Sequence, residues 1–290
     1  MKIASLFEKK TVFSFEVFPP KKTSPIESIY ESLDEFEKLE PDFVSVTLGA
    51  GGSGNGENTI AVAKRLKEKH GIVPMAHLPC IHYTKPQIDS ILEDFKANGI
   101  ENILALRGDM IPDLVPSEDF KHACDLIEYI RTKGDFDIAA ACYPEGHTEA
   151  PSIDIDIEYL KQKVDAGASH LMSQLFFDNE AFYNFRWRAM KAGIDVPIEA
   201  GIMPVTSRKQ IERMVSMCGA SLPRKFTRIM QKYEHNPEAL RDAGIAYAID
   251  QIVDLAAEGV DGIHLYTMNN PYVAKRISEA VSGIIRTDCK

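Results

Sequence analysis

Glu16 stands in the stretch SFEVFPPKK (14–22), between Phe15 and Val17, and Pro19 and Pro20 follow it. An ionised carboxylate is costly to bury among Phe13, Phe15, Val17 and Phe18. Desolvation there raises a carboxyl pKa, so Glu16 is expected to hold a proton near neutrality, as a general acid must. The alternative is a Glu paired with a buried Arg or Lys for structure alone. A second cluster is LRGD (106–109), a cation, a glycine and an acid at a strand end. It reads either as a functional site or as a turn with an Arg–Asp pair. His77, His82 and His147, with Glu145 or Asp109, offer metal-ligand chemistry, but no HxH or HExxH spacing accompanies them, so no metal is expected. GAGGSG (49–54) satisfies GxGxxG after a strand. The loop continues through Asn55 and Gly56 and the next strand ends in AHLPC rather than in an acid, which favours a flexible loop over a dinucleotide fingerprint. Lysine is absent from the strand ends, which disfavours Schiff-base chemistry.

These residues need elements to place them. Strand-like runs lie at about 11–18, 43–47, 73–78, 102–109, 137–144, 169–177, 197–202 and 261–267. Amphipathic helical stretches alternate with them. Capping boxes are expected at Ser24/Glu27, Thr84/Gln87 and Ser207/Gln210. Helices are expected near 58–70, from about Ser117 to Lys133, over roughly 154–167 and from Asp178, with three more across 206–258. The helix over 179–187 carries Phe182, Tyr183, Phe185 and Trp187, read as packing rather than as a cofactor platform. Strands apolar almost throughout suit a parallel sheet buried on both faces. Eight strand–helix units without a dividing linker predict a single (β/α)8 TIM-barrel domain over 1–290, with extra helices between strands 7 and 8. A doubly wound open sheet shares this local pattern and is the alternative. In a barrel, Glu16, Thr47, His77, Asp109, Tyr143, Gln174 and Tyr266 all fall at strand C-termini and meet at one mouth.

Composition narrows the function. Of 290 residues, 44% are hydrophobic and 26% charged, and the formal charge is -10. An acidic chain is a poor generic binder of nucleic acid or of anionic membranes. No apolar run is long enough to span a bilayer, and MKIASLFEKK has no signal-peptide core. Five scattered cysteines (Cys80, Cys124, Cys142, Cys218, Cys289) read as reduced thiols of a cytoplasmic protein.

The segments SFEVFPPK, FVSVTLGAGG, AHLPC, ALRGD, AACYPEGH, KVDAGA, SQLFFD, AGIMPV and IHLYTMN occur in the order in which the methylenetetrahydrofolate reductase family carries them. The chain therefore resembles that family over nearly its whole length, in the compact bacterial form without a regulatory domain. The resemblance implies a flavoprotein that reduces 5,10-methylenetetrahydrofolate to 5-methyltetrahydrofolate. NADH or NADPH would reduce FAD, and the folate would then take the hydride in ping-pong fashion. It also implies a homo-oligomer. Two other readings stay open: a flavoprotein subunit reduced by an electron-transfer partner, and a non-redox pterin-binding methyltransferase barrel.

Carried over by motif, FAD contacts fall on Thr47, His77, Arg107, Gly108, Asp109, His122, Ala123, Tyr143, His147, Glu149, Ala150, Asp156 and Lys163. Arg107 and Lys163 offer charge to a diphosphate. Glu16 and Asp109 are the implied catalytic residues, the first as proton donor to folate N10 and the second as anchor of the pterin. Substrate contacts are implied for Asp109, Gln174, Gln210, Met214 and Asn270. Met214, Asn270 and Gln162 stand where the family pattern has Phe, Arg and a basic residue. A Met can still pack on a ring, but Asn270 lacks the charge that would attract a glutamate tail.

Overall fold

The computed structural model describes residues 1–20, 24–48, 56–112, 114–207, 209–211 and 218–286. Strands β1 (Val12–Val17), β2 (Phe43–Val46), β3 (Val73–Pro79), β4 (Asn102–Leu106), β5 (Asp137–Cys142), β6 (His170–Ser173), β7 (Ile198–Ile202) and β8 (Gly262–Tyr266) form a closed barrel in sequence order. Every neighbouring pair is parallel, and β1 closes on β8 with Glu16 opposite Tyr266. The open-sheet alternative is thereby excluded.

Helices cover the outside: α1 (Tyr30–Glu37), α2 (Gly56–His70), α3 (Lys85–Ala97), α4 (Ala123–Lys133), α5 (Ile153–Ala166), α6 (Asn179–Lys191), α7 (Arg224–Tyr233), α8 (Pro237–Ala257) and α9 (Pro271–Ile285). The extra helices between β7 and β8 are as expected: α7 and α8 lie there, and residues 209–211 are helical. Their starts follow local chemistry. The Gln87 Oε1 accepts the Thr84 N–H at 2.8 Å in the box that opens α3. Asn236 accepts from Ala239 N–H ahead of Pro237, and Asn270 from Val273 N–H ahead of Pro271. Asp178 caps α6.

Two expected helix starts are corrected. Ser24 and Glu27 do not form a box: Pro25 stays extended and a 3-10 turn, Ile26–Ile29, precedes α1, with the Ser28 hydroxyl donating to the Pro25 carbonyl. The fourth helix opens at Ala123 rather than near Ser117. The Ser117 N–H is engaged by the Ile81 carbonyl at 2.7 Å, and the Asp125 carboxylate accepts the Lys121 and His122 N–H groups. Those N–H groups are satisfied outside the helix, so it starts later. The glycine-rich loop 49–54 lies outside the described residues.

Strand alternation sorts the side chains of β1. Phe13, Phe15 and Val17 point outward into the layer shared with the helices, where Phe15 meets Phe13 and Phe36 at ring-centroid distances of 5.2 and 5.7 Å. Burying one such side chain contributes about 1.5–3 kcal/mol. Ser14 and Glu16 point inward. The lower barrel interior is apolar, with Val12, Phe43, Met75, Leu104, Ala139 and Met172 packed on Ile3 and Phe7. The 3-10 turn Ile3–Leu6 plugs that end: Ile3 N–H reaches Asn102 Oδ1 at 3.0 Å and Ala4 N–H reaches Asp137 Oδ2 at 2.8 Å.

Candidate active site

A cavity of about 930 Å³ opens at the C-terminal mouth of the barrel. The strand-end set converges on it as the barrel reading requires: Glu16, Thr47, His77, Tyr143, Gln174 and Tyr266 line it, with Asp109 at the rim. Arg107, Gly108, His147, Gln210 and Asn270 join them. Glu149, Asp156 and Lys163 adjoin this wall through their partners, whereas His122, Ala123 and Ala150 do not line the cavity. Met214 lies outside the described residues.

Glu16 lies at the floor with its side chain 19% exposed. Its Oε2 is 3.6 Å from His77 Nε2 and 3.9 Å from His264 Nε2. The Thr267 hydroxyl holds its backbone carbonyl at 2.6 Å. The expected rise in its pKa is corrected. Burial does push the carboxyl up, but the nearby imidazoles of His264 and His77, neither at hydrogen-bond distance, outweigh it, so the net direction is down. Among the described residues no Arg or Lys pairs with it; the neighbours are imidazoles. His77 itself is pushed down to about 4 by burial, against the pull of Glu16. Among the described residues its buried Nε2 makes no hydrogen bond.

The opposite wall is built on charge. Arg107 grips the Glu149 carboxylate with both terminal nitrogens, one of them at 2.9 Å. That fork raises the Arg107 pKa and lowers that of Glu149. Gly108 has φ +90°, and a Cβ there would come within 2.8 Å of the Pro79 Cβ, so LRGD needs its glycine. Behind Tyr143, Lys163 Nζ lies 5.5 Å over the ring and donates to the Ala141 carbonyl at 2.9 Å. Burial lowers the Lys163 pKa and raises that of Asp156, whose carboxylate accepts the His147 N–H at 3.1 Å. His147 meets Tyr143 edge to face at 4.6 Å.

The two glutamines are held by their own loops. Gln174 Oε1 accepts the Leu175 N–H at 2.9 Å. Gln210 Oε1 accepts from the Thr206 N–H at 3.0 Å and its amide donates to the Pro204 carbonyl at 3.1 Å, while Ser207 Oγ accepts the Gln210 N–H. The expected Ser207/Gln210 box is therefore half formed, with the glutamine reaching one residue further back. Among the described residues no group of three His, Cys, Asp or Glu side chains could hold a metal, and no helix is long and apolar enough to cross a membrane.

Three polar residues beneath Glu16 escaped the sequence reading. Ser14, His264 and Glu199 fill the barrel interior, each fully buried. Period-two alternation was the available signal, since Ser14 precedes Glu16 by two on one strand and His264 precedes Tyr266 by two on another.

A closed parallel barrel whose polar side chains meet at the strand C-termini defines an enzyme of the (β/α)8 class. Comparison sharpens this. The sequence pattern of the methylenetetrahydrofolate reductase family matches residues 2–282. A 5,10-methylenetetrahydrofolate reductase of Pectobacterium carotovorum subsp. carotovorum is 39% identical over 88% of this chain and 85% of its own. Methylenetetrahydrofolate reductase (NADH) 1 of Arabidopsis thaliana is 38% identical over 92% of this chain, which spans 48% of that longer protein. A Clostridium thermocellum protein solved with two copies of 5-methyl-5,6,7,8-tetrahydrofolic acid shares the fold, with TM-score 0.66 and 14% identity over 98% of this chain and 99% of its own. The chain belongs to the methylenetetrahydrofolate reductase family, and it is an oxidoreductase.

Proposed function

We propose that this chain reduces 5,10-methylenetetrahydrofolate to 5-methyltetrahydrofolate, using FAD reduced by NADH or NADPH. The observation that supports it best is the meeting of Glu16, Asp109 and Gln174 around one cavity, in a chain of the reductase family.

The residues present suit a flavin dinucleotide. His77 lines the cavity and its buried Nε2, 3.6 Å from Glu16, has no hydrogen-bond partner among the described residues, and Lys163 and Arg107 bring two cations to the Tyr143 side. Thr47, His77, Gly108, Asp109, Tyr143 and His147 would hold the cofactor at the cavity. Arg107, Lys163, Glu149 and Asp156 would form its charged wall, and His122, Ala123 and Ala150 would hold its more distant part. When bound, the flavin supplies the hydride. NADH is the donor named for the Arabidopsis relative.

This chain's own groups would do the rest. Asp109 would accept hydrogen bonds from the pterin and stabilise cationic charge as the folate's five-membered ring opens. Glu16 would deliver the proton that departing N10 needs. Gln174, Gln210 and Asn270 would hold the substrate, with Met214 as a packing contact. Walls of Leu104, Leu106, Ala141 and Met172 would exclude water from the reacting centre.

The test is anaerobic. Purified protein loaded with FAD should be bleached by NADH or NADPH and should regain its colour on adding methylenetetrahydrofolate. Bleaching by a reduced protein donor alone would transfer the reading to a partner-reduced subunit. Folate binding by folded protein that never takes up a flavin would favour the non-redox barrel.

A further inference from the structure

Glu16 poses a problem for the reaction just proposed: the chemistry needs a proton there, while the imidazoles around it keep the carboxyl ionised. The barrel interior beneath it holds a chain of polar groups that leads away from solvent. His264 Nδ1 lies 2.6 Å from Ser14 Oγ, and Ser14 Oγ lies 2.8 Å from Glu199 Oε1. At the upper end, His264 Nε2 faces Glu16 at 3.9 Å and Ser45 Oγ at 3.5 Å. Ser14, His264 and Glu199 are each 0% exposed.

Glu199 is out of place by ordinary rules. A carboxyl so buried should have a cation or a full set of donors. Among the described residues its Oε2 has no hydrogen-bond partner, and its carboxyl's one hydrogen-bond contact is Ser14. Room is made for it by Gly262, where a Cβ would stand 2.7 Å from the Glu199 Cγ. The groups that bear on it are Ser14 from β1, which reaches Oε1 at 2.8 Å, and the charge of Asp42 ahead of β2, with His264 from β8 standing beyond Ser14. Its neighbour in register on β6 is Met172. None of these stabilises the anion strongly, and Asp42 opposes it. Desolvation pushes Glu199 up to about 8; the Ser14 hydrogen bond pulls the other way and Asp42 adds a smaller rise.

Resting on the reductase reading, we infer that Glu199 is the proton reserve of the active site, recharging Glu16 through Ser14 and His264. The chain has two forms of equal proton count. In one, neutral Glu199 donates to Ser14 Oγ, the Ser14 hydroxyl donates to His264 Nδ1, and the His264 Nε2–H faces ionised Glu16. In the other, His264 Nε2 and Glu16 have closed their 3.9 Å gap by about 1 Å to hydrogen-bond distance, Glu16 has taken the Nε2 proton, Nδ1 has taken the Ser14 proton, and Ser14 has taken that of Glu199. Three O–H or N–H bonds break and three form. The imidazole is neutral in both, and one negative charge passes from Glu16 to Glu199. Glu16 then yields its proton to N10. After product leaves, a solvent proton entering at Glu16 returns along the same path. Glu199 is thus a positioning and supply group that never touches substrate.

Glu199→Gln keeps the shape and a hydrogen bond to Ser14 but holds no transferable proton. With holoenzyme reduced anaerobically by NADH, flavin reoxidation by methylenetetrahydrofolate is followed by stopped flow from pH 6 to 9. The unaltered protein should lose rate as pH rises through about 8. Glu199→Gln should be slower at pH 7, on the order of 10-fold or more, and lack that limb, with flavin reduction by NADH unchanged. Ser14→Ala, which breaks the path and leaves Glu199 in place, should show the same slowing. Reoxidation at the unaltered rate and with the unaltered pH profile in either variant overturns the inference. An unaltered holoenzyme that the folate never reoxidises defeats the reductase reading, and the inference with it.

Discussion

His77 Nε2 lies 3.6 Å from Glu16 Oε2 across the barrel mouth, too far for a hydrogen bond and close enough to feel its charge. With His77 held down near 4, the contact at neutral pH joins a carboxylate to a neutral ring. Neither group is locked in an ion pair, so the floor can accept a proton without first breaking a salt bridge.

Glu16→Gln should keep the fold and leave flavin reduction by the nicotinamide unchanged. Delivery of hydride to the folate should fall by about 10²–10⁴, the usual contribution of a positioned proton donor. Stopped-flow absorbance separates the two half-reactions. A folate step that stays near the unaltered rate would remove Glu16 from the mechanism.

Gly108→Ala tests the bend that aims LRGD. At φ +90° a side chain is strained, and its Cβ would press on Pro79. A loss of about 1–3 kcal/mol and weaker FAD retention are expected, read by thermal melting and by flavin titration. Full stability with full flavin affinity would show that the turn tolerates a Cβ.

Asp137→Ala addresses the opposite end of the barrel. Asp137 accepts from the Ala4 N–H and from the Ser169 hydroxyl, so its loss leaves the part-buried Ala4 N–H of the plug unpaired, while Ser169 keeps the Ile138 carbonyl. Stability should drop by about 1–3 kcal/mol, with both half-reactions unaltered in the protein that remains folded. A change in folate kinetics would mean that the plug communicates with the mouth.

The buried acid Glu199 should make the protein less stable as pH rises. Its folded pKa is about 8 against an ordinary 4.5, so the folded state binds a proton that the unfolded chain releases. That contribution is fully present below pH 4.5 and is lost as pH rises to about 8. Glu199→Gln should remove this slope and stabilise the protein at pH 8 by a few kcal/mol. Denaturant melts at pH 5 and pH 8 measure it; equal slopes in both proteins would show Glu199 to be ionised or solvated in the fold.

The barrel was legible because its signals are local and repeated: apolar strands, capped helices and no linker. The mouth was legible because strand ends converge in such a fold, which put Glu16, His77, Asp109 and Gln174 together. The pKa of Glu16 was not, because it depends on His77 from β3 and His264 from β8, which reach it only when the sheet closes. Glu199 was hidden for the same reason. In PIEAGI it reads as one polar residue in a short strand, and its partner Ser14 lies 185 residues away. Ser117 misled because it resembles a helix start, yet its N–H is engaged by a different loop.

The seam between β1 and β8 fixes when the site can exist. Glu16 is held from the far end of the chain, its carbonyl by Thr267 and the neighbouring Phe18 by both ends of the Asn269 amide, 251 residues on. Asn269 and Met268 adopt left-handed backbone, at φ 53° and 52°, to make that reach. A ribosome releases Glu16 early and those partners late. Until they emerge, β1 offers an unpaired edge that invites other chains. A nascent chain therefore carries the acid but not its setting, and the floor of the mouth appears only with the last turn of the barrel.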